Sequence, residues 1–339
     1  MKRRTFILGG GVLATLSLGV TATNASLANT VSSIADFRAV SPISRPLVYV
    51  DNGNLQLYDS SVDTETAVQN SDNVQVIGDA GNIVGGSNPD VPYVTQKSEA
   101  YATELNGNTN QLVYAGRQGN TGVSIKKSTS RLTIGEWPPS SFSGDIVLTP
   151  DKNAAEIIAI NPDGDPNNAG AVQESIATLG NGCSGVVAIA DIDDDGSVEI
   201  VFVDGSQQLR YLEQNGSSGV AISNGGIGTN NGHGVGYPAD FGQNKLEIPF
   251  VDGSNNPAIV DVDGNKTTLG SGIAAKAPVA PVDIDGDYDT EFVFFDSNTG
   301  EVNYIDDIRD GNTVNTLLVE GSAITPDQGP GLAASGADL

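Results

Sequence analysis

The chain has 339 residues, with 42 Asp and Glu against 16 Lys and Arg, so its formal net charge at pH 7 is −26. A surface this acidic is a poor partner for nucleic acid and for anionic membranes. It suits solubility in high salt, where self-repulsion is screened, and we expect a halophilic, archaeal source. The single cysteine, Cys183, excludes an intrachain disulfide framework.

Residues 1–25 have the features of an export signal. Lys2–Arg4 is basic, Phe6–Val20 is apolar and Gly-rich, and a small-residue cleavage site follows. An Arg pair ahead of a short apolar run resembles a twin-arginine signal. We therefore predict an extracellular or cell-surface protein without a membrane span in the mature chain. Residues 26–44 are predicted to be a linker before a domain that covers 45–339.

Three weaker repeats lie along that domain. Three loops, Glu104–Asn108, Thr149–Asn153 and Asp240–Asn244, each precede an apolar run, but they have lost carboxylates. With the stronger repeats, the second strands are predicted to begin near residues 111, 156, 199, 247 and 291. Short strands at a period of about 45 residues are typical of a β-propeller with one four-stranded blade per repeat.

The clearest repeat is Gly185–Leu212. Its Val186–Ala190 run is typical of a buried strand, Ile200–Val203 is a second strand, and Asp204-Gly205 marks a turn before a third. The loop between the first two strands carries Asp at alternate positions, followed by Gly196 and a glutamate. Such a loop directs several oxygens at one centre, as a hard cation such as Ca²⁺ requires.

Two metal sites are predicted on this pattern, because Ala277–Tyr304 repeats it 92 residues later. The predicted ligands of the first site are Asp191, Asp193, Asp195 and Glu199. The predicted ligands of the second site are Asp283, Asp285, Asp287 and Glu291. We expect structural Ca²⁺ ions that neutralise crowded carboxylates and fix a strand junction.

The two ends of the domain complement each other. Pro46–Asp51 is a second strand without an acidic loop before it, and Gly331–Leu339 is a first strand. We therefore predict an all-β propeller of six blades, closed by the C-terminal strand pairing with the N-terminal blade. Residues 79–97 are a surplus, which we interpret as an insertion; the alternative is a degenerate seventh blade at Asp90–Val94.

These repeats resemble the FG-GAP/VCBS family, the calcium-loop propellers of integrin α-subunit heads and many microbial surface proteins. The resemblance covers most of 45–339 and is specific at 191–199 and 283–291. It implies calcium loops and a binding role.

No catalytic constellation is visible. The only histidine, His233, lies in a Gly-rich loop, and Cys183 precedes an apolar run as a small buried residue does. The candidate contact aromatics, each with core packing as the alternative, are Trp137, Tyr237 and Tyr288. Asn215 and Asn265 begin glycosylation sequons.

The functional prediction is a non-enzymatic, calcium-binding propeller that acts in binding or adhesion at the cell surface. Its partner is a surface glycan, an envelope protein or another copy of itself. The alternative is a lectin or a carbohydrate-active enzyme on the same scaffold.

Overall fold

The computed structural model describes the chain in two compact units, Met1–Ile43 and Ser44–Leu339. The described residues are 4–8, 12–16, 47–59, 64–67, 74–78, 90–95, 99–104, 110–114, 132–135, 137–138, 145–148, 155–161, 173–216, 219–222, 234–284, 289–306, 308, 311–319, 321–325 and 332–334. The predicted linker, 26–44, lies outside them.

The first unit contains one antiparallel hairpin, formed by β1 (Arg4–Leu8) and β2 (Val12–Leu16). Arg4 pairs with Leu16 and Leu8 pairs with Val12. None of the described residues belongs to a helix that is long and apolar enough to cross a membrane.

The second unit is built from short strands. They are β3 (Leu47–Asp51), β4 (Asn54–Asp59), β5 (Thr64–Ala67), β6 (Val74–Ile77), β7 (Asp90–Thr95), β8 (Ala100–Glu104), β9 (Asn110–Tyr114), β10 (Leu132–Gly135), β11 (Asp145–Leu148), β12 (Glu156–Ile160), β13 (Gln173–Thr178), β14 (Cys183–Ala190), β15 (Glu199–Asp204), β16 (Leu209–Leu212), β17 (Val220–Ala221), β18 (Ala239–Asp240), β19 (Leu246–Val251), β20 (Pro257–Val260), β21 (Lys266–Thr268), β22 (Ala275–Val282), β23 (Glu291–Asp296), β24 (Val302–Asp306), β25 (Thr313–Thr316), β26 (Leu318–Val319), β27 (Ser322–Ala323) and β28 (Leu332–Ala334).

Within the described residues these strands form six four-stranded antiparallel sheets and a small hairpin, β26–β27. Sheet 1 has the order β28-β3-β4-β5, and the others follow the chain: sheet 2 is β6–β9, sheet 3 is β10–β13, sheet 4 is β14–β17, sheet 5 is β18–β21 and sheet 6 is β22–β25. Consecutive strands paired as antiparallel meanders are the building pattern of propeller blades.

The inner strands are apolar on both faces because each sheet is covered on both sides. In β3, Leu47 and Tyr49 pack towards sheet 6, whereas Val48 and Val50 pack towards sheet 2. Successive side chains of a strand point to opposite faces, so a continuous apolar run serves two interfaces at once.

Clusters of buried apolar side chains join each sheet to the next. In the described part of the chain, one cluster lies between sheets 1 and 2, and others lie between 2 and 3, 3 and 4, 4 and 5, and 5 and 6. A further cluster joins sheet 6 to sheet 1. The fold is therefore an all-β propeller, as the sequence predicted.

The interpretation of residues 79–97 as an insertion was wrong for Asp90–Thr95, the part of this range that the structure describes. Asp90–Thr95 is β7, a fully buried strand between β6 and β8 in sheet 2. It escaped recognition because no acidic loop marks it and Pro92 interrupts its apolar run. The predicted second strands near 111 and 156 are also corrected: they are β9, the fourth strand of sheet 2, and β12, the third strand of sheet 3.

The N-terminal and C-terminal strands of the second unit pair with each other. β28 is antiparallel to β3, with Leu332 opposite Tyr49 and Ala334 opposite Leu47. β3 is therefore the second strand of its sheet, as the sequence predicted.

Candidate metal centre

The first acidic loop, Asp191–Val198, joins β14 to β15. Every residue of both strands is buried, so the two ends of the loop are held by the core. Ile192 is buried and packs between sheets 4 and 5, whereas Asp193 and Asp195 are exposed. The alternation of one buried apolar residue with acids therefore anchors the loop and turns its carboxylates outward.

Three of the four predicted ligands of the first site converge. Single carboxylate oxygens of Asp191, Asp193 and Asp195 lie within 4.8 Å of one another. Asp191 also organises the loop: its Oδ1 accepts the N–H of Asp195 at 3.1 Å, and its Oδ2 accepts the N–H of Gly196 at 2.9 Å. The cluster offers only oxygen donors, which suits a hard cation.

The tight curvature of the loop depends on two left-handed residues. Asp194 has φ of 61° and Gly196 has φ of 89°. Asp tolerates this region better than most residues, and Gly enters it without steric cost. Asp194 thereby lets the chain reverse between Asp193 and Asp195, and its own carboxylate is not a member of the cluster.

Glu199, the fourth predicted ligand, begins β15 and is fully buried. Its Oε2 accepts the N–H of Ile192 at 3.0 Å, which ties the start of the loop to its end. Its Oε1 is buried without a hydrogen-bond partner. The pKa of Glu199 is raised to about 7, mainly by burial. The hydrogen bond from the Ile192 N–H lowers the pKa, whereas the charges of Asp193, Glu213 and Asp191 raise it further.

The second acidic loop repeats the part of this arrangement that the structure describes. Asp283 follows β22, Ile284 is buried, and Glu291 begins β23 and is buried. The Ile284 N–H donates to Glu291 Oε2, as Ile192 does to Glu199. The predicted ligands Asp285 and Asp287 lie outside the described residues.

The third loop, Asp240–Lys245, also lies between the first and second strands of its sheet, but its side chains differ from those of the first loop. Asp240 Oδ1 accepts the N–H groups of Gln243 and Asn244, and Phe241 is buried where Ile192 is buried in the first loop. The Lys245 ammonium lies 2.5 Å from Asp261 Oδ2, a hydrogen bond that raises the pKa of Lys245. This loop therefore carries an amino group, which pairs with an acid after β20.

The remaining weak loops do not match the first one in position. Residues 105–109 connect the third strand of sheet 2 to the fourth, and residues 149–155 connect the second strand of sheet 3 to the third. Residues 105–109 and 149–154 lie outside the described residues.

A polar cleft lies beside the first loop. Its volume is about 440 Å³, and its lining residues are Pro138, Asp195, Ser197, Glu213, Gln214 and Asn215. Gln214 Nε2 donates to the Val198 carbonyl at 3.3 Å, which connects the cleft to the end of the acidic loop. Burial raises the pKa of the nearby Tyr211, with the Glu213 charge as the next cause, so the field here is negative.

The other candidate residues belong mostly to the core. Cys183 and Trp137 are buried between sheets 3 and 4. Tyr237 is buried, and its hydroxyl donates to the Ile189 carbonyl at 2.8 Å. Trp137 and Tyr237 are thus packing residues rather than contact aromatics. His233 and Tyr288 lie outside the described residues.

The two sequon asparagines are both exposed but differ in their bonding. Asn265 Nδ2 donates to Asp261 Oδ2 at 2.9 Å. Asn215 lines the cleft.

Sequence reasoning missed a second role for aspartate, at the hairpins that join second to third strands. Asp204 Oδ1 accepts the N–H groups of Ser206 and Gln208, and Asp252 Oδ1 accepts those of Ser254 and Asn256. The repeated Asp-Gly-Ser at 204–206 and 252–254 was the available signal. These carboxylates hold turns, and the second oxygen of each pairs with a basic side chain, Arg210 or Lys266, so they are not candidates for an ion.

Comparison with known proteins leaves the family open. No family model matches the chain, and no curated protein matches it. A mutant of the Aleuria aurantia lectin in complex with α-methyl-L-fucoside is 13% identical, with a TM-score of 0.47 over 82% of this chain and 96% of that one.

Two further solved structures have similar values. An auxiliary nutrient binding protein from Bacteroides thetaiotaomicron is 12% identical, with a TM-score of 0.49 over 84% of this chain and 69% of that one. BamB from Moraxella catarrhalis is 10% identical, with a TM-score of 0.40 over 82% and 84%. The propeller fold is therefore established by the strand pairing of this chain rather than by these likenesses.

Proposed function

We propose that this chain is an exported, calcium-binding β-propeller that acts as a non-enzymatic binding module at the cell surface. The convergence of Asp191, Asp193 and Asp195 carries the proposal. Its partner is a surface glycan or an envelope protein. The N-terminal segment suits export by a twin-arginine route, and the net charge of −26 suits a halophilic archaeon.

The residues of the first loop fit a structural calcium ion. All the donors are oxygens, and the cluster lacks a basic partner among the described residues. Glu199 Oε1 is a buried carboxylate oxygen without a partner at the end of the same loop. An ion would supply the missing charge to both, and its own binding energy would stabilise the fold. The proposed ligands of the second site remain Asp283, Asp285, Asp287 and Glu291.

We further propose that the propeller is a closed ring of six blades and that its repeats are of the FG-GAP/VCBS family. The six four-stranded sheets, the cluster between sheets 6 and 1, and the β28–β3 pairing support the ring. The two acidic loops support the family.

Thermal unfolding in chelator and in millimolar calcium tests the metal proposal. We expect calcium to raise the wild-type midpoint. Each site should add about 2.7 kcal/mol to the free energy of unfolding when calcium is 100-fold above the dissociation constant of that site. The shift should be largest at low salt, because salt screens the repulsion among the carboxylates. Asp193→Asn and Asp285→Asn should each lose the contribution of one site.

Asp194→Asn is the matched control, since it removes one charge from the same loop but not from the cluster. It should keep the calcium response. A wild-type midpoint that calcium does not move, or equal effects of Asp193→Asn and Asp194→Asn, would contradict the proposal.

The alternative, a lectin or a carbohydrate-active enzyme, is favoured by one observation, the polar cleft. Ser197, Gln214 and Asn215 offer hydroxyl and amide groups beside the Pro138 ring, a combination suited to a sugar. Glycan-array binding that Gln214→Ala abolishes would favour the lectin, and glycan cleavage would favour the enzyme. Binding to an envelope protein that Gln214→Ala leaves unchanged would favour the first proposal.

A further inference from the structure

The last strand of sheet 6 has an open edge. β25, Thr313–Thr316, pairs with β24 along its whole length, and no described strand pairs with its other side. Three of its four residues are exposed. An outer strand of this kind presents unpaired N–H and C=O groups and is a template for another strand.

The fourth strands of sheets 3, 4 and 5 are protected in ways that β25 is not. Where their side chains are described, β13 carries Glu174, β21 carries Lys266, and β17 is only two residues long. Charge and shortness are the usual devices that block edge pairing. β25 has neither of these, and residues 311–319 contain no charged residue and no proline.

The same stretch exposes apolar side chains. Val314 is 41% exposed and Leu318, just beyond β25, is 47% exposed. In the described part of the chain the only other large hydrophobic residue exposed to this degree is Val220, at 45%. A neutral, β-forming and partly apolar edge therefore stands out on a molecule with a net charge of −26.

The charge of the molecule selects the kind of partner. A basic partner would be drawn to the carboxylates rather than to a neutral strip, since the field of the whole protein steers association. An acidic partner can approach closely only where charge is missing. A second copy of this chain is an acidic partner that is present wherever the chain itself is present.

We propose that the β25 edge is a self-association surface, at which two copies pair β25 to β25 across a two-fold axis. Antiparallel pairing of one strand with its own copy is compatible with that symmetry. It would join two four-stranded sheets into an eight-stranded one and cover Val314. This inference goes beyond the proposed binding role and does not depend on calcium.

Light scattering coupled to size-exclusion chromatography, across the micromolar range, tests the proposal on the full chain. We expect wild type to reach the mass of a dimer, and we expect salt to tighten the dimer by screening net repulsion. Val314→Lys brings two like charges close together at the paired edge and should raise the dissociation constant about ten-fold or more.

Val220→Lys is the matched control. It makes the same substitution at nearly the same exposure, on the outer strand of sheet 4, and should leave the dimer unchanged. Both changes are at exposed positions, and unchanged thermal midpoints would show that both variants fold. A monomeric wild type, equal effects of the two variants, or a dimer that salt dissociates would each overturn the proposal.

Discussion

The protonation state of Glu199 is set by opposing effects. The Ile192 N–H favours its carboxylate form, but burial and the neighbouring charges of Asp193 and Glu213 favour the neutral acid. The balance raises its pKa to about 7, well above the ordinary value of 4.5. Without a cation, the folded state therefore binds a proton at this position more tightly than the unfolded chain does.

We predict that Glu199 makes the calcium-free protein less stable as the pH rises from about 4.5 to about 7. Its contribution is fully present below the lower pH and is lost as the pH rises through the folded pKa. Glu199→Gln keeps an oxygen for the Ile192 N–H but does not titrate. In chelator it should remove about 1–3 kcal/mol of this pH dependence, measured as unfolding free energy by denaturant titration.

Saturating calcium should reverse the preference, because the ion stabilises the carboxylate. The wild type should then be more stable than Glu199→Gln at pH 7. A remote change, Glu301→Gln in sheet 6, serves as the control. Identical pH profiles of wild type and Glu199→Gln in chelator would contradict this account.

At the scale of the element, the hairpins between second and third strands in sheets 4 and 5 are each held by an aspartate and a basic side chain. The basic side chain comes from the third strand in sheet 4 and from the fourth strand in sheet 5. In the β15–β16 hairpin, Arg210 Nε lies 2.6 Å from Asp204 Oδ2, and its Nη1 donates to the Gly219 carbonyl. In the β19–β20 hairpin, Lys266 Nζ lies 2.8 Å from Asp252 Oδ2. The two hairpins are alike in design but differ in burial.

We predict that this difference in burial decides the energetic effect of removing the cation. The Asp204 side chain is 2% exposed, so Arg210→Met leaves a buried carboxylate unpaired and should cost about 2 kcal/mol or more. The Asp252 side chain is 13% exposed and its lysine is 34% exposed, so Lys266→Met should cost about 1 kcal/mol or less. Urea unfolding of both variants measures the two values, and equal losses would contradict the argument.

The elements that could be identified from the sequence are those marked by distinctive side chains, such as the acidic residues of a loop. Asp191 and Asp240 lie at first-to-second strand junctions, as predicted. The strands near 111 and 156 were placed in the wrong order within their sheets. An apolar run looks the same in a second strand and in a third, since burial of both faces is common to them.

The metal site was predictable in part for the same reason. The spacing of Asp191, Asp193 and Asp195 directs their oxygens together, which is a local property of a short loop. The behaviour of Glu199 was not predictable, because it depends on how deeply β15 is buried by neighbouring sheets. Burial is a property of the tertiary structure, and no spacing rule encodes it.

At the scale of the whole molecule, each sheet depends on its neighbours on both sides. β3 is the clearest case, with Leu47 and Tyr49 against sheet 6 and Val48 against sheet 2, all of them at most 1% exposed. β28 completes the sheet that links these two interfaces, although it lies far from β3 in sequence. The β28–β3 pairing is thus a long-range contact, and its loop-closure entropy is offset only when the other sheets are formed.

We predict that removing β28 weakens the whole propeller and not only its own sheet. Deletion of residues 329–339 takes away the strand and opens the inner edge of β3, whereas deletion of 335–339 leaves β28 in place and is the matched control. The longer deletion should cost about 3 kcal/mol or more, from backbone hydrogen bonds at about 1 kcal/mol each and newly exposed apolar area at about 25 cal/mol per Å². Calorimetry should show a lower midpoint and a van't Hoff enthalpy below the calorimetric one, as expected when a cooperative unit divides. If the longer deletion melts like the shorter one, with a single sharp transition, the β28–β3 pairing does not close the ring.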